Sequence, residues 1–234
     1  MKNNQNFMIN IVLASNSPRR RELLSLLLDH FVVKPPQIEE KQARGESPAD
    51  FVLRTAAEKA AAVAEDLPDL SDREWLIIAA DTIVVDEGQI LGKPADEADA
   101  EAILKRLREK THQALSGIVV LMPGRGAVEE SLVRTDVAMR DYDDQEIQDY
   151  IASGDPMDKA GAYAIQNQKF DPAPEFQGCF ANVMGLPLCE LASMLDKLGV
   201  PRLSSIPLAC QQSLDYQCPV YDLYLSQREG ALGS

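Results

Sequence analysis

The chain has no uninterrupted apolar stretch approaching the ~20 residues that a membrane-spanning helix needs. It has only two histidines, too few for a histidine-based zinc site. Its four cysteines, Cys179, Cys189, Cys210 and Cys218, come late and never fall at C-x-x-C spacing. That pattern points to isolated buried thiols in a reducing cytoplasm, not to a zinc knuckle or a disulfide framework. Positive charge is also scarce: 23 Lys and Arg against 37 Asp and Glu leave a formal net charge of −14. A chain this acidic disfavours non-specific binding to nucleic acid or an anionic membrane, yet a local basic pocket still suits a small anionic substrate. There is no G-x-x-x-x-G-K-[ST] loop, and no G-x-G-x-x-G after the first strand. P-loop kinase and dinucleotide-oxidoreductase readings lose their support. The run Met1–Asn6 leads into too short and polar a stretch to be expected to act as a signal peptide.

What is present is an ordinary globular composition, 45% hydrophobic over 234 residues, enough for a substantial core. Apolar runs at Ile9–Ala14, Phe31–Val33 and Trp75–Ala80 read as strands, the last as the central one, ending in Asp81-Thr82 with Ile83–Val85 continuing it. Asp86-Glu87-Gly88 is a hairpin turn into a short return strand, and Ala114–Met122 with Val128–Met139 forms an antiparallel pair. Helical patterns cover Pro18–Leu28, the stretch from the Ser47 cap to about Glu65, Ala95–Arg108, Asp143–Ala152, and a segment from Gly185 to near Leu198. Asp158–Gln166 reads as a glycine-containing strand. Helices alternate with strands early and hairpins dominate the middle. The expected fold is a single α/β domain with a mixed, twisted sheet flanked by helices, its two lobes enclosing a cleft. Past Val200 the chain shows no periodicity and is expected to wrap the surface or stay partly disordered.

One helix start is anomalous. Ser17 is a good N-cap and Pro18 suits the first helical position, but Arg19-Arg20-Arg21 follows. A helix N-terminus carries partial positive charge, so cations there are unfavourable unless an anion joins them. A phosphate would supply that anion and would bond the free backbone N–H groups. Other residues could serve the same ligand. Asp81, after the central apolar run, suits a divalent metal, proton abstraction from water, or merely a turn. Glu39-Glu40 is an acidic loop, and Lys59 lies near the edge of a helical apolar face, where it would serve phosphate or simply snorkel. Lys93 is pinned between Gly92 and Pro94, and Gln166 can read a base edge by donating and accepting at once. Gly161 suggests a close backbone approach, and His112 is expected to be structural. Anion-binding helix start, carboxylates, lysines and an amide together suit phosphoanhydride hydrolysis.

In sequence order, Ala14-Ser15-Asn16-Ser17-Pro18-Arg19-Arg20, Ile38-Glu39-Glu40, Glu46-Ser47-Pro48, Arg54, Lys59-Ala60, Ala80-Asp81-Thr82, Leu91-Gly92-Lys93-Pro94, Lys159–Gln166 and Asn182–Leu188 resemble the Maf family of nucleoside triphosphate pyrophosphatases. The resemblance covers about residues 9–199 and leaves 200–234 as an extension of unknown role. It implies hydrolysis of a nucleoside triphosphate to the monophosphate and pyrophosphate with Mg2+ or Mn2+, a house-cleaning role in the cytoplasm, and a homodimer. By matched position, Ser15, Arg19 and Arg20 would cradle the triphosphate and Lys59 and Lys93 would neutralise it. Glu40 and Asp81 would hold the metal, with Asp81 also the catalytic base. Arg19, Thr82 and Gln166 stand where the family's dTTP/UTP branch has these residue types. The alternatives are a 7-methyl-GTP or CTP pyrophosphatase, or a nucleotide-sensing regulator of septum formation. One departure is Glu109, where the family commonly has glycine, and another is Ala114-Leu115-Ser116-Gly117 in place of V-x-T-G.

Overall fold

The computed structural model describes residues 8–68, 73–203 and 206–221. The expectation for Met1–Asn6, and that for residues 222–234 of the extension, lie outside the described residues. Strand β1 (Met8–Ala14) pairs in parallel with β2 (Val32–Val33) and with β3 (Arg73–Asp86). β3 pairs antiparallel with β5 (Thr111–Met122) and, at its far end, with β4 (Gln89–Leu91). β6 (Ala127–Ala138) closes on β5, giving the order β2-β1-β3-β5-β6. The sheet is mixed, as the sequence predicts.

Residue alternation in β3 decides what lies on each face. Ile77 and Ala79, then Ile83 and Val85, face helix α2 (Pro48–Glu65), which presents Phe51, Val52, Ala56, Ala60 and Val63. Ile78, Ala80 and Val84 face the other way, into the larger core. There they meet Leu24 of α1 (Pro18–Ser25), Leu104 of α3 (Glu97–Leu107), Ile147 of α4 (Asp144–Ala152) and Leu191 of α6 (Leu188–Lys197). Each such fully buried side chain contributes about 1.5–3 kcal/mol of burial. Gly117 of β5 lets α2 lie close to the sheet: a Cβ there would stand 2.5 Å from the Val52 carbonyl oxygen. That close packing sets the height of α2 over Asp81, which is paired with Gly117 across the ladder.

Three stretches differ from the sequence expectation. Asp158–Gln166 is not a strand. The 3-10 turn Asp155–Asp158 ends at its first residue, a second, Ala160–Ala162, follows, and the rest is irregular or turn. Gly161 at φ +72 and Ala162 at φ +57 are left-handed, which no strand accommodates. Gly161 does provide the expected close approach, to the Val84 side chain, and its N–H donates to the Gly92 carbonyl at 3.0 Å. Helix α5 (Phe180–Met184) was not expected; it is a five-residue element, too short to show a period. Finally, helix α7 (Ile206–Leu214) packs on the core, with Ile206 only 1% exposed and Cys210, Leu214 and Tyr216 against it. The described part of the extension is thus a packed element.

Candidate active site

β1 leaves β3 at Ala14, opposite Ala79, and β4 joins it only at Val84. Between the two ladders Ala80–Ile83 keep β5 on one side and have no neighbour on the other. This is where pairing with β3 switches from parallel to antiparallel, the kind of place where open α/β sheets take ligands. Asp81 and Thr82 sit in that gap. β3 runs on through Asp81-Thr82 into Ile83–Val85, the continuation the sequence suggests, and it is β1 that ends here. Alternation turns Asp81 toward α2 and Thr82 toward α1 and α5.

A cavity of about 410 Å³ opens here. Ser15, Arg19, Arg20, Glu40, Lys59, Asp81, Thr82, Lys93 and Gln166, the residues to which the resemblance gives a role, all line it, whereas Glu39 and His112 do not. On the α2 side the Lys59 ammonium lies 2.7 Å from Asp81 Oδ1 and 2.8 Å from Glu40 Oε1. Lys59 is not at the edge of its helical face: it is 5% exposed, at helical spacing between Thr55, Ala56 and Val63. Asp81 is equally buried, while the Glu40 side chain is half-exposed. Breaking a buried pair of this kind costs about 3–5 kcal/mol, because it leaves one charge uncompensated.

On the other side, Arg20 is fixed at several points. Its Nε donates to the Gly185 carbonyl at 2.8 Å, and its terminal nitrogens donate to Thr82 Oγ1 at 3.2 Å and Ser15 Oγ at 3.4 Å. Burial lowers the Arg20 guanidinium from its ordinary value; Asp81 and Glu40 oppose the shift and Arg19 adds to it. An arginine held this way has already lost the rotamer freedom that anion binding would otherwise cost. The helix start itself forms as the sequence predicts: Ser17 Oγ accepts from the Arg20 backbone N–H, and Ser15 Oγ accepts from the Ser17 N–H. Arg19 leans toward Asp158, 3.7 Å away. Arg21 is exposed and does not line the cavity. Lys93 and Gln166 lie on exposed stretches of the cavity wall.

Some of the support could not be read from the sequence. Thr82 Oγ1 is 2.8 Å from Ser116 Oγ, which donates to the Asn182 carbonyl at 3.3 Å. The Asn182 amide, completely buried, donates to Thr135 Oγ1 and the Ala114 carbonyl. These bonds tie α5, β5 and β6 behind Arg20, and only the tertiary fold brings their partners together. Lys159 also lines the cavity, paired with Asp155 at 2.9 Å and Asp158 at 2.6 Å. His112 is structural, as expected: it is 2% exposed and its Nε2 pairs with the Tyr163 hydroxyl at 2.8 Å. Burial pushes it down to about 4. Among the described residues no three His, Cys, Asp or Glu side chains are grouped to hold a metal ion. Glu40 and Asp81 are two hard oxygen donors that converge on a single cation, the Lys59 ammonium. That donor set would suit a magnesium-like ion.

The fold and cavity define an α/β protein with an anion-binding helix start facing a pair of carboxylates across a sheet switch point. The chain belongs to the Maf family: residues 10–198 match the family described as Maf-like protein. A dTTP/UTP pyrophosphatase of Dictyoglomus turgidum is 46% identical over 190 residues, covering 81% of this chain and 96% of its own length. Another of that name, from Geotalea uraniireducens, is 45% identical over 190 residues, with 81% and 95% covered. A third, from Dehalococcoides mccartyi, is 42% identical over 195 residues, with 83% and 85% covered. No helix among the described residues is long and apolar enough to cross a membrane.

Proposed function

We propose that this protein is a dTTP/UTP pyrophosphatase that hydrolyses its substrate to the nucleoside monophosphate and pyrophosphate. The observation that carries this is the opposed pair of walls: a fixed Arg20 on one side and the Glu40–Lys59–Asp81 cluster on the other. The relatives of that name support the substrate choice. The triphosphate lies between the walls, with Ser15, Arg19 and Arg20 at one side and Lys59 and Lys93 at the other. Glu40 and Asp81 would hold Mg2+ or Mn2+ with the phosphates. When bound, that ion withdraws charge from the phosphate oxygens and acidifies a coordinated water. Asp81 orients the attacking water toward the α-phosphorus and accepts its proton. Arg20 and the lysines bind charge as it develops on the departing pyrophosphate, and Arg20 does so without first having to be ordered. Gln166 and Thr82 sit toward the nucleoside and set its class.

The proposal places the enzyme in the cytoplasm, in a house-cleaning role, and as a homodimer. Light scattering reads the last directly. The functional test is a panel of dTTP, UTP, CTP and 7-methyl-GTP assayed for pyrophosphate with magnesium or manganese. dTTP and UTP should be turned over fastest. Nucleotide binding without metal-dependent hydrolysis would instead favour a sensing role.

A further inference from the structure

The sequence suggests four isolated thiols, but the fold gathers all of them around one hollow outside the active site. Cys179 at the start of α5, Cys189 on α6, and Cys210 and Cys218 of the C-terminal segment line a single small apolar space. Two of the four lie beyond residues 10–198, so the hollow exists only because the extension docks on the family domain.

Two anchors set the register of that docking. The Tyr216 hydroxyl accepts from the Gly178 N–H at 3.1 Å and donates to the Gly178 carbonyl at 3.0 Å, tying the segment that leads to Cys218 to the residue before Cys179. The Cys218 N–H donates to Gln211 Oε1 at 2.9 Å, folding the segment back over α7. On the other side α7 lies along α6, where Leu188 and Cys189 meet Pro207, Cys210 and Leu214. The four thiols thus share one hollow, two of them on the family domain at α5 and α6 and two on the extension. No three of them are grouped to hold a metal, so the chemistry open to them is pairwise.

We propose that this hollow is a disulfide-forming site, in which Cys179 joins Cys218 and Cys189 joins Cys210, each bond fastening the C-terminal segment to the family domain. The oxidant is a low-molecular-weight disulfide. One cysteine thiolate attacks it, forming a mixed disulfide and releasing one small thiol. The second cysteine then displaces the other small thiol as the protein S–S bond forms. For each bond two protein thiols are oxidised and one small disulfide is reduced to two thiols. Burial pushes Cys179 up to about 12, Cys189 up to about 11 and Cys210 up to about 12. Reaction is consequently slow while the segment is docked and speeds up when it opens. Oxidation makes a reversible docking permanent, and α5, whose C-cap carbonyl at Gly185 holds Arg20, is then braced from its other end.

The test incubates the purified full-length protein with oxidised glutathione and maps the products by non-reducing peptide mass spectrometry. The expected products are the Cys179–Cys218 and Cys189–Cys210 peptides, a monomer on non-reducing gels, and a melting temperature higher by roughly 5–10 °C that falls back with dithiothreitol. Cys218→Ser should lose the first bond and keep the second. Four free thiols after prolonged exposure would overturn the proposal, as would glutathione adducts alone, the opposite pairing, or covalent dimers.

Discussion

Helix α2 carries two ion clusters five residues apart, and they differ in nearly every respect. Lys59 is buried between Asp81 and Glu40 on the face that packs on the sheet. Arg54 lies at the surface, bonded to Glu46 through Nε at 2.6 Å, to Glu58 at 2.8 Å, and to the Lys41 carbonyl at 3.1 Å. The surface cluster is self-contained: the Arg54 guanidinium holds the Glu46 carboxyl down to about 2, and the Ala43 N–H adds to the effect. The buried cluster has two carboxylates on one ammonium and opens on a cavity. Surface pairs contribute little stability on their own. What Arg54 does is local: it staples residues 41–46 to α2, and that loop follows directly on Glu40. One cluster faces the cavity, and the other holds in place the loop that bears one of its carboxylates.

The contrast can be broken at several points. Asp81→Asn should lower kcat/KM by about 10²–10⁴-fold, the scale of a lost general base, while the fold survives because Lys59 retains Glu40. Near-normal turnover with an unchanged melting curve would remove Asp81 from the chemistry. Lys59→Met should cost both ways. Denaturant titration should show a loss of about 3–5 kcal/mol, since Asp81 is left buried and unpaired, along with a large fall in turnover. Arg54→Ala should leave the melting curve nearly unchanged and weaken the apparent metal affinity by about tenfold, recoverable at high magnesium. If Arg54→Ala instead matched Lys59→Met, the two clusters would not be separable.

His112 supplies the case of burial that outweighs its neighbouring carboxylates, Asp86 and Asp136. Its value of about 4 lies below the ordinary 6.5, so the unfolded chain binds the proton that the folded one refuses. Its contribution is complete above about pH 6.5 and is lost as pH falls through 4, by up to about 3 kcal/mol. Urea titrations across that range should follow this slope. The smallest effect concerns Glu109, held at φ +59. Glu109→Gly should raise stability by about 1 kcal/mol with turnover untouched, because glycine enters the left-handed region without strain.

The cavity was more legible in sequence than the frame that supports it. Arg19 and Arg20 at the wrong end of a helix, a pinned Lys93 and an aspartate on the most apolar strand are local anomalies, and each lines the cavity. Residues 158–166 misled because an apolar run with alternating small residues looks extended, whereas two consecutive left-handed residues break it. α5 and α7 were hidden for different reasons. The first is one turn long, and the second has its apolar residues spent on packing against α6 and Tyr216 rather than on a regular stripe. The Arg20–Thr82–Ser116–Asn182 chain joins residues from four elements, and no spacing in one dimension announces it.

In the proposed reaction water is directed at the α-phosphorus of a pyrimidine nucleoside triphosphate in the cavity between Arg20 and Asp81. Hydrolysis of UTP in oxygen-18 water, followed by mass spectrometry of both products, tests it most directly. The heavy oxygen should appear in the uridine monophosphate and be absent from unlabelled pyrophosphate. Label in the pyrophosphate, or release of orthophosphate and uridine diphosphate, would contradict it.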